Sequence, residues 1–268
     1  MLNIGVDLLD QVGNVAKRAG NEILKVYKTD FKVEAKADRS PVTEADRKAE
    51  ALILRSIREG ITEKFPIVSE EAAAKGNIPE TKDTAFWLVD PLDGTKEFVS
   101  RNGEFTVNIA IIENGRPVLG VVHSPVTRET YWGAAVGSFA QIGDEQERVI
   151  KCRQAPAGGL VAMVSRSHNT PEVDAYLKKF KIARQQSAGS ALKFCRVAEG
   201  AADIYPRFGR TMEWDTAAGH AVLRFAGGHV QDLDGKELGY GKPGFENPHF
   251  VAMGPGVKID SRKSPSPR

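Results

Sequence analysis

Phe86-Trp87-Leu88-Val89-Asp90-Pro91-Leu92-Asp93-Gly94-Thr95 is the stretch on which the reading of this chain turns. Four apolar residues run straight into a carboxylate, the pattern of a buried strand that delivers Asp90 at its end. Pro91 fixes one φ and lacks a donor, so it stiffens the turn that separates Asp90 from Asp93. Gly94 lets backbone approach a ligand closely. Thr95 opens a short helix through Lys96-Glu97-Phe98, whose first N–H groups and dipole favour an anion. One segment thus offers carboxylates for cations beside amides for an oxyanion, the juxtaposition that metal-assisted phosphoryl transfer requires. Read alone, the run is also an ordinary solvated turn, because Asp, Pro and Gly are all turn formers.

Two further acidic segments bear on the choice. Ser69-Glu70-Glu71 follows the apolar pair Ile67-Val68 and reads as a strand ending in adjacent acids, or as an exposed acidic loop. Trp214-Asp215-Thr216-Ala-Ala-Gly219 places an acid just before an apolar helix, where a simple N-cap explains it equally well. Around these, apolar residues Ile4, Leu8, Val12, Val15, Ala19, Ile23 and Tyr27 recur at three and four residues, which predicts a first amphipathic helix. A strand is expected over 31–35, then a polar turn over 36–41. Thr43 with Asp46 three positions on has the form of a capping box for a helix ending near Gly60. A hairpin follows, with strands at 105–112 and 118–122 joined through Asn114-Gly115. Two more strands are expected at 129–132 and 138–142.

Past Lys151 strands and helices alternate: strands at 160–164, 182–186, 202–205, 229–232 and 250–252, with helices from Pro171, through Leu192 and Val197, and over 216–225. That alternation predicts an α+β first half, 1–150, and a layered α/β second half, 151–260, followed by a polar, proline-rich and disordered tail, 261–268. The composition, 41% hydrophobic and 27% charged over 268 residues, is that of a globular protein with a sizeable core. A net charge of +2 supplies no field for a nucleic acid polymer, and no apolar run reaches the length of a bilayer span. The two cysteines, Cys152 and Cys195, lack the spacing of a disulfide framework or a zinc site. With no secretory pattern at the start, the expected location is cytoplasmic, and the basic tail permits peripheral contact with the inner membrane face.

Taken together and in order, Pro41-Val-Thr43-Glu-Ala-Asp46, Ser69-Glu70-Glu71, Asp90-Pro-Leu-Asp93-Gly-Thr95 and Trp214-Asp215-Thr-Ala-Ala-Gly219 resemble the inositol monophosphatase superfamily of lithium-sensitive, magnesium-dependent phosphatases. The resemblance covers nearly the whole chain. Lys96-Glu97-Phe98, Val164-Ser-Arg-Ser-His168, Gly189-Ser190-Ala-Leu-Lys193-Phe-Cys195, Ala198-Glu-Gly200 and Tyr205-Pro-Arg207-Phe208 look like the CysQ-type 3′(2′),5′-bisphosphate nucleotidases within it; Ala191 departs from the Ser or Gly often found there.

The resemblance implies a five-layer αβαβα sandwich of the inositol monophosphatase and fructose-1,6-bisphosphatase type. It implies one Mg2+ on Glu70, Asp90 and the Leu92 carbonyl, a second on Asp90, Asp93 and Asp215, and a weaker third near Glu70 and Asp46. Mn2+ is a substitute. Gly94 and Thr95 would bind the scissile phosphate, and His168, Ser190, Lys193, Arg207 and Asp215 the nucleotide. The implied reaction is hydrolysis of the 3′-phosphate of adenosine 3′,5′-bisphosphate, with 3′-phosphoadenylyl sulfate as a second substrate, in sulfur assimilation. Superfamily members occur as monomers and homodimers, and both stay open.

The residues support such chemistry on their own terms. Every candidate ligand is an oxygen, which selects magnesium or manganese over zinc. Two such ions offset the repulsion among the carboxylates and serve the attacking water and the leaving oxygen of an in-line displacement. Thr95 hydrogen-bonded to Asp46 is one candidate base and Glu70 the other. Lys193 and Arg207 suit a second phosphate, although without the resemblance they read as a surface pair. Trp87, Trp132 and Trp214 read as core or site-wall packing. A broad sugar or inositol phosphatase, and a non-catalytic nucleotide or metal sensor, are the competing functions.

Overall fold

The computed structural model describes residues 4–35, 41–82, 84–167 and 170–258. Residues 36–40 of the turn expected over 36–41, His168 and the tail 261–268 lie outside the described residues.

Helix α1 (Val6–Tyr27) buries Leu8, Val12, Val15, Ala19 and Ile23 of the predicted stripe, while Ile4, ahead of the helix, and Tyr27, at its end, are half-buried. It packs against α2 (Glu44–Gly60), which starts at the Thr43–Asp46 capping box. Between them β1 (Val33–Ala35) and β2 (Pro41–Thr43) form a two-stranded ribbon. The strand expected over 31–35 is thus shorter, and Pro41, expected in the turn, is the first residue of a strand, where its missing donor costs nothing.

The two helices cover one face of a seven-stranded sheet in the order β3 (Ile67–Ser69), β4 (Phe86–Asp93), β5 (Thr106–Glu113), β6 (Arg116–Ser124), β7 (Glu129–Ala134), β8 (Gly137–Ile142), β9 (Arg148–Val149). The β5–β6 turn is closed by Asn114 and Gly115, both at positive φ, the two-residue geometry that matches strand twist. Strand β4 is buried on both sides. Trp87 and Val89 join the α1–α2 core, whereas Phe86 and Leu88 face the opposite layer. Burial on both faces is why the segment is continuously apolar instead of alternating.

The opposite layer consists of α6 (Leu192–Ala198) and α7 (Glu213–Phe225), which lie between this sheet and a second one. Gly120 and Gly133 allow α7 to come close. A Cβ at Gly120 would sit 2.5 Å from the Ala218 carbonyl oxygen, and one at Gly133 2.6 Å from Val222 Cα. The second sheet has five strands, ordered β11 (Ile182–Ala188), β10 (Leu160–Ser165), β12 (Ile204–Arg207), β14 (Phe250–Met253), β13 (His229–Asp232). β10 is parallel to both β11 and β12, while β14 is antiparallel to β12 and β13. On its outer face α5 (Pro171–Leu177) packs Val173, Tyr176 and Leu177 with Ile204, Phe208 and Val251. The layers therefore run α, β, α, β, α, the sandwich that the resemblance implies. Two short helices, α3 (Glu70–Ala74) and α4 (Thr95–Val99), follow β3 and β4 at their C-terminal ends. Among the described residues no helix is long and apolar enough to cross a membrane.

The close approach of α7 carries a stability test. Gly133→Ala pushes a methyl into helix backbone that cannot swing aside, so it should destabilise the protein by about 1–3 kcal/mol in a denaturant titration. An unchanged midpoint would show that the α7–sheet spacing is not as described.

Candidate active site

The site is built where β3, β4 and the N-terminus of α7 end together. Residues three apart in a regular strand point to opposite faces. In β4, however, Asp90 pairs with Asn108 and Asp93 with Thr106, so three steps on one strand oppose two on the other. This β-bulge turns Asp90 and Asp93 to the same side. Thr106 donates to Asn108 Oδ1 (2.9 Å), and Asn108 Nδ2 donates to Asp93 Oδ2 (3.3 Å), so the paired strand also fixes the second carboxylate. Asp90 Oδ1 accepts the Leu92 N–H (3.0 Å). Gly94 then takes the left-handed φ of 91° that starts α4.

Glu70 is the first residue of α3, not part of an acidic loop, and its neighbour Glu71 is buried. The first turn of α3 is anchored by Glu50 of α2, whose Oε1 accepts both the Ser69 hydroxyl (2.5 Å) and the Ala72 N–H (3.0 Å). Asp215 is not an N-cap: α7 begins at Glu213, and Asp215, in its first turn, accepts the Met212 N–H at Oδ2 (2.9 Å). A carboxylate there faces the positive helix end. The buried Glu213 holds the other side of that helix end by accepting the N–H groups of Gly241 and Lys242. Asp46 is buried, takes two hydrogen bonds from Thr43 at Oδ2, and presents Oδ1 to the Thr95 hydroxyl at 3.4 Å. The same hydroxyl lies 3.3 Å from the Leu92 carbonyl oxygen.

Glu70, Asp90, Asp93, Gly94, Thr95 and Asp215 all line one cleft of about 230 Å³. Burial lifts the Asp90 carboxyl well above the ordinary range, and Glu70, Asp93 and Asp215 push it further. Asp215 is raised in the same way, by burial first and then by Asp93 and Glu70. Asp93 is pushed up to about 6 by burial, against the pull of Lys193. Burial and like-charge crowding both favour the neutral acids, unless positive charge enters. The acids share the cleft without converging on a point, and among the described residues no three His, Cys, Asp or Glu side chains form a ready-made ion site. The donor set is nonetheless all oxygen and all acidic, which fits a hard divalent cation.

The opposite wall is basic. Lys193 and Arg207 are buried in it, not on the surface. Lys193 Nζ donates to the carbonyls of Ser190 (2.6 Å) and Ala188 (3.1 Å) and sits over the Tyr205 ring; burial brings its pKa down to about 8. Arg207 Nη2 reaches the Arg210 carbonyl at 3.4 Å, while its buried Nε has no hydrogen-bond partner among the described residues. Ser190, at a φ of 49°, donates to the Asp93 carbonyl at 2.8 Å and so joins the two walls. His220 and His123 are buried and bonded to Tyr240 and Thr130, away from the cleft. The motifs did not disclose Asn108, Thr106 and Glu50. The one available signal was a polar Thr-Val-Asn inside an otherwise apolar strand, since a buried amide needs partners.

The model of the inositol monophosphatase family matches residues 7–259, and the chain belongs to that family. Among its relatives is the 3′(2′),5′-bisphosphate nucleotidase CysQ of Salmonella typhimurium, 44% identical over 247 residues, which cover 91% of this chain and 98% of the relative. The CysQ of Escherichia coli K12 is 46% identical over 246 residues, with the same coverage. The crystal structure of CysQ from Bacteroides thetaiotaomicron superposes with a TM-score of 0.78 at 39% identity, covering 94% of this chain and 98% of that one.

Glu50→Ala would leave the Ser69 hydroxyl and the Ala72 N–H without their acceptor. It should cost about 1–3 kcal/mol, read as a drop of several degrees in the thermal midpoint. A wild-type midpoint would mean that α3 does not depend on Glu50.

Proposed function

We propose that this chain is a divalent-cation-dependent 3′(2′),5′-bisphosphate nucleotidase that hydrolyses the 3′-phosphate of adenosine 3′,5′-bisphosphate to AMP and phosphate. The observation that carries the reading is a single cleft with a carboxylate wall facing a buried basic wall of Lys193 and Arg207. A substrate with one phosphate needs only the first wall and its cations. The acids of the cleft already act on Lys193 and Arg207, and once those acids hold cations the two buried side chains are left for a second anion on the substrate. The relatives named as bisphosphate nucleotidases support the same choice.

In this reading Glu70, Asp90 and the Leu92 carbonyl would hold one Mg2+, Asp90, Asp93 and Asp215 would hold a second, Glu70 and Asp46 would serve a third, and Mn2+ would substitute for Mg2+. When bound, the ions supply charge neutralisation on the transferring phosphoryl group and make the attacking water easier to deprotonate. The chain's own residues orient the reaction. The N–H groups at Gly94 and Thr95 face the scissile phosphate. The Thr95 hydroxyl, directed by Asp46, takes the proton of the attacking water while passing its own to Asp46 Oδ1. At 3.4 Å this contact is long, and the proton transfer requires it to shorten in the substrate complex. Arg207, which lines the cleft, would meet the second phosphate through its guanidinium, and Lys193 would add a point charge beside it.

With Mg2+, phosphate release from adenosine 3′,5′-bisphosphate should exceed that from inositol 1-phosphate by about 10- to 100-fold in kcat/KM, the cost of leaving charged donors unmet. The reverse order would make the chain an inositol or sugar phosphatase. Asp90→Asn should abolish turnover with the fold intact by circular dichroism; retained turnover would remove the metal assignment.

The acids also set a pH dependence. Asp93 has a raised pKa, so its contribution to stability without cations is present below the ordinary carboxylate range and lost as pH rises through about 6. Mg2+ competes with those protons. The rise in thermal midpoint on adding it should therefore be larger at about pH 8 than at about pH 5. Equal rises at both values would contradict binding at these acids.

A further inference from the structure

Glu104 lies in the loop between α4 and β5, outside every motif considered so far, yet it binds the two walls of the cleft together. Its carboxylate takes a bidentate pair from Arg166, just past β10: Nε to Oε2 at 2.7 Å and Nη2 to Oε1 at 2.8 Å. Oε2 also accepts the Gly189 N–H, just past β11, at 2.8 Å. The Ser190 hydroxyl lies 2.8 Å from the Glu104 backbone carbonyl oxygen and 2.8 Å from that of Asp93, and the two acceptors share its one proton. Gly189 is pressed so closely on Glu104 that a Cβ there would lie 2.3 Å from its carbonyl oxygen. Ser190 is held at positive φ, a conformation a non-glycine residue keeps only where its surroundings impose it. The two carbonyls that fix the Lys193 ammonium belong to Ala188 and Ser190, on either side of that pinned glycine.

We infer that Glu104 is a positioning residue for selectivity: by pinning Gly189 and Ser190 it sets where Lys193 stands relative to the Asp93 turn, and so the spacing between the two phosphate subsites. The inference rests on the bisphosphate reading above. An exposed ion pair alone would only add slightly to stability. A spacing role instead acts on the second phosphate and leaves the chemistry at the first unchanged.

The test compares adenosine 3′,5′-bisphosphate with adenosine 3′-monophosphate, which shares the scissile bond and lacks the second phosphate. In Glu104→Ala the bisphosphate-to-monophosphate ratio of kcat/KM should fall by about tenfold, carried by KM, because a misplacement of about an ångström is costly in an oriented site. Turnover of the monophosphate should stay within about twofold of wild type by the same argument. Glu104→Gln, which keeps an acceptor for the Gly189 N–H, should fall between wild type and Glu104→Ala. An unchanged ratio, or an equal loss on both substrates, overturns the proposal. If Glu104→Ala shows no cooperative melting transition, Arg166→Ala takes its place under the same criterion, since it frees the carboxylate without removing it. A wild-type protein that does not prefer the bisphosphate sinks the activity assignment instead, and shows this before any variant is made.

Discussion

Four of the carboxylates that line one cleft come from three distant stretches of chain, and their mutual repulsion is the constraint around which the rest of the protein is arranged. Two like charges separated by about 4 Å in a protein interior repel by roughly 4 kcal/mol, more than any single hydrogen bond to them returns. The fold therefore holds each acid by its backbone. The bulge in β4 aims Asp90 and Asp93 to one side, Glu50 anchors the helix that begins with Glu70, and the first turn of α7 carries Asp215 on Met212. None of these devices neutralises the acids. They fix where the negative charge stands.

The layered architecture explains why the basic wall stands opposite. The acids come mainly from the first sheet, whereas Lys193 and Arg207 belong to α6 and β12 of the second half. Helix α7 packs closely on the first sheet while carrying Asp215 from the second half, which is why its fit against Gly120 and Gly133 matters for the cleft as well as for stability. Polar bonds from Ser190 and to Glu104 tie the segment after β11 to the Asp93 turn and to the loop before β5.

Much of this was legible in the sequence, for physical reasons that differ from element to element. Strand β4 was readable because burial on both faces leaves an unbroken apolar run, and α1 because its stripe repeats with helical period. The acids were readable as motifs only in combination. Each alone looked like a turn, a loop or a cap. The bulge was not readable, because nothing local marks which strand carries the extra residue. Asp215 was expected just outside its helix and lies inside it, since neither Met212 nor Glu213 carries the usual signature of a helix start. Lys193 and Arg207 looked like surface charges by composition. Their burial depends on tertiary packing against Tyr205 and Gly209, which no periodicity reveals. Glu104 gave no signal, because its partners lie far along the chain.

The central claim is that these acids gather divalent cations at the mouth of the β4 turn. Anomalous diffraction from crystals soaked in Mn2+ tests it most directly. The account predicts at least two peaks, one bounded by Glu70 and Asp90 and another by Asp93 and Asp215, with Asp90 between them. Peaks confined to other parts of the surface, with the carboxylates of the cleft unligated, would contradict it.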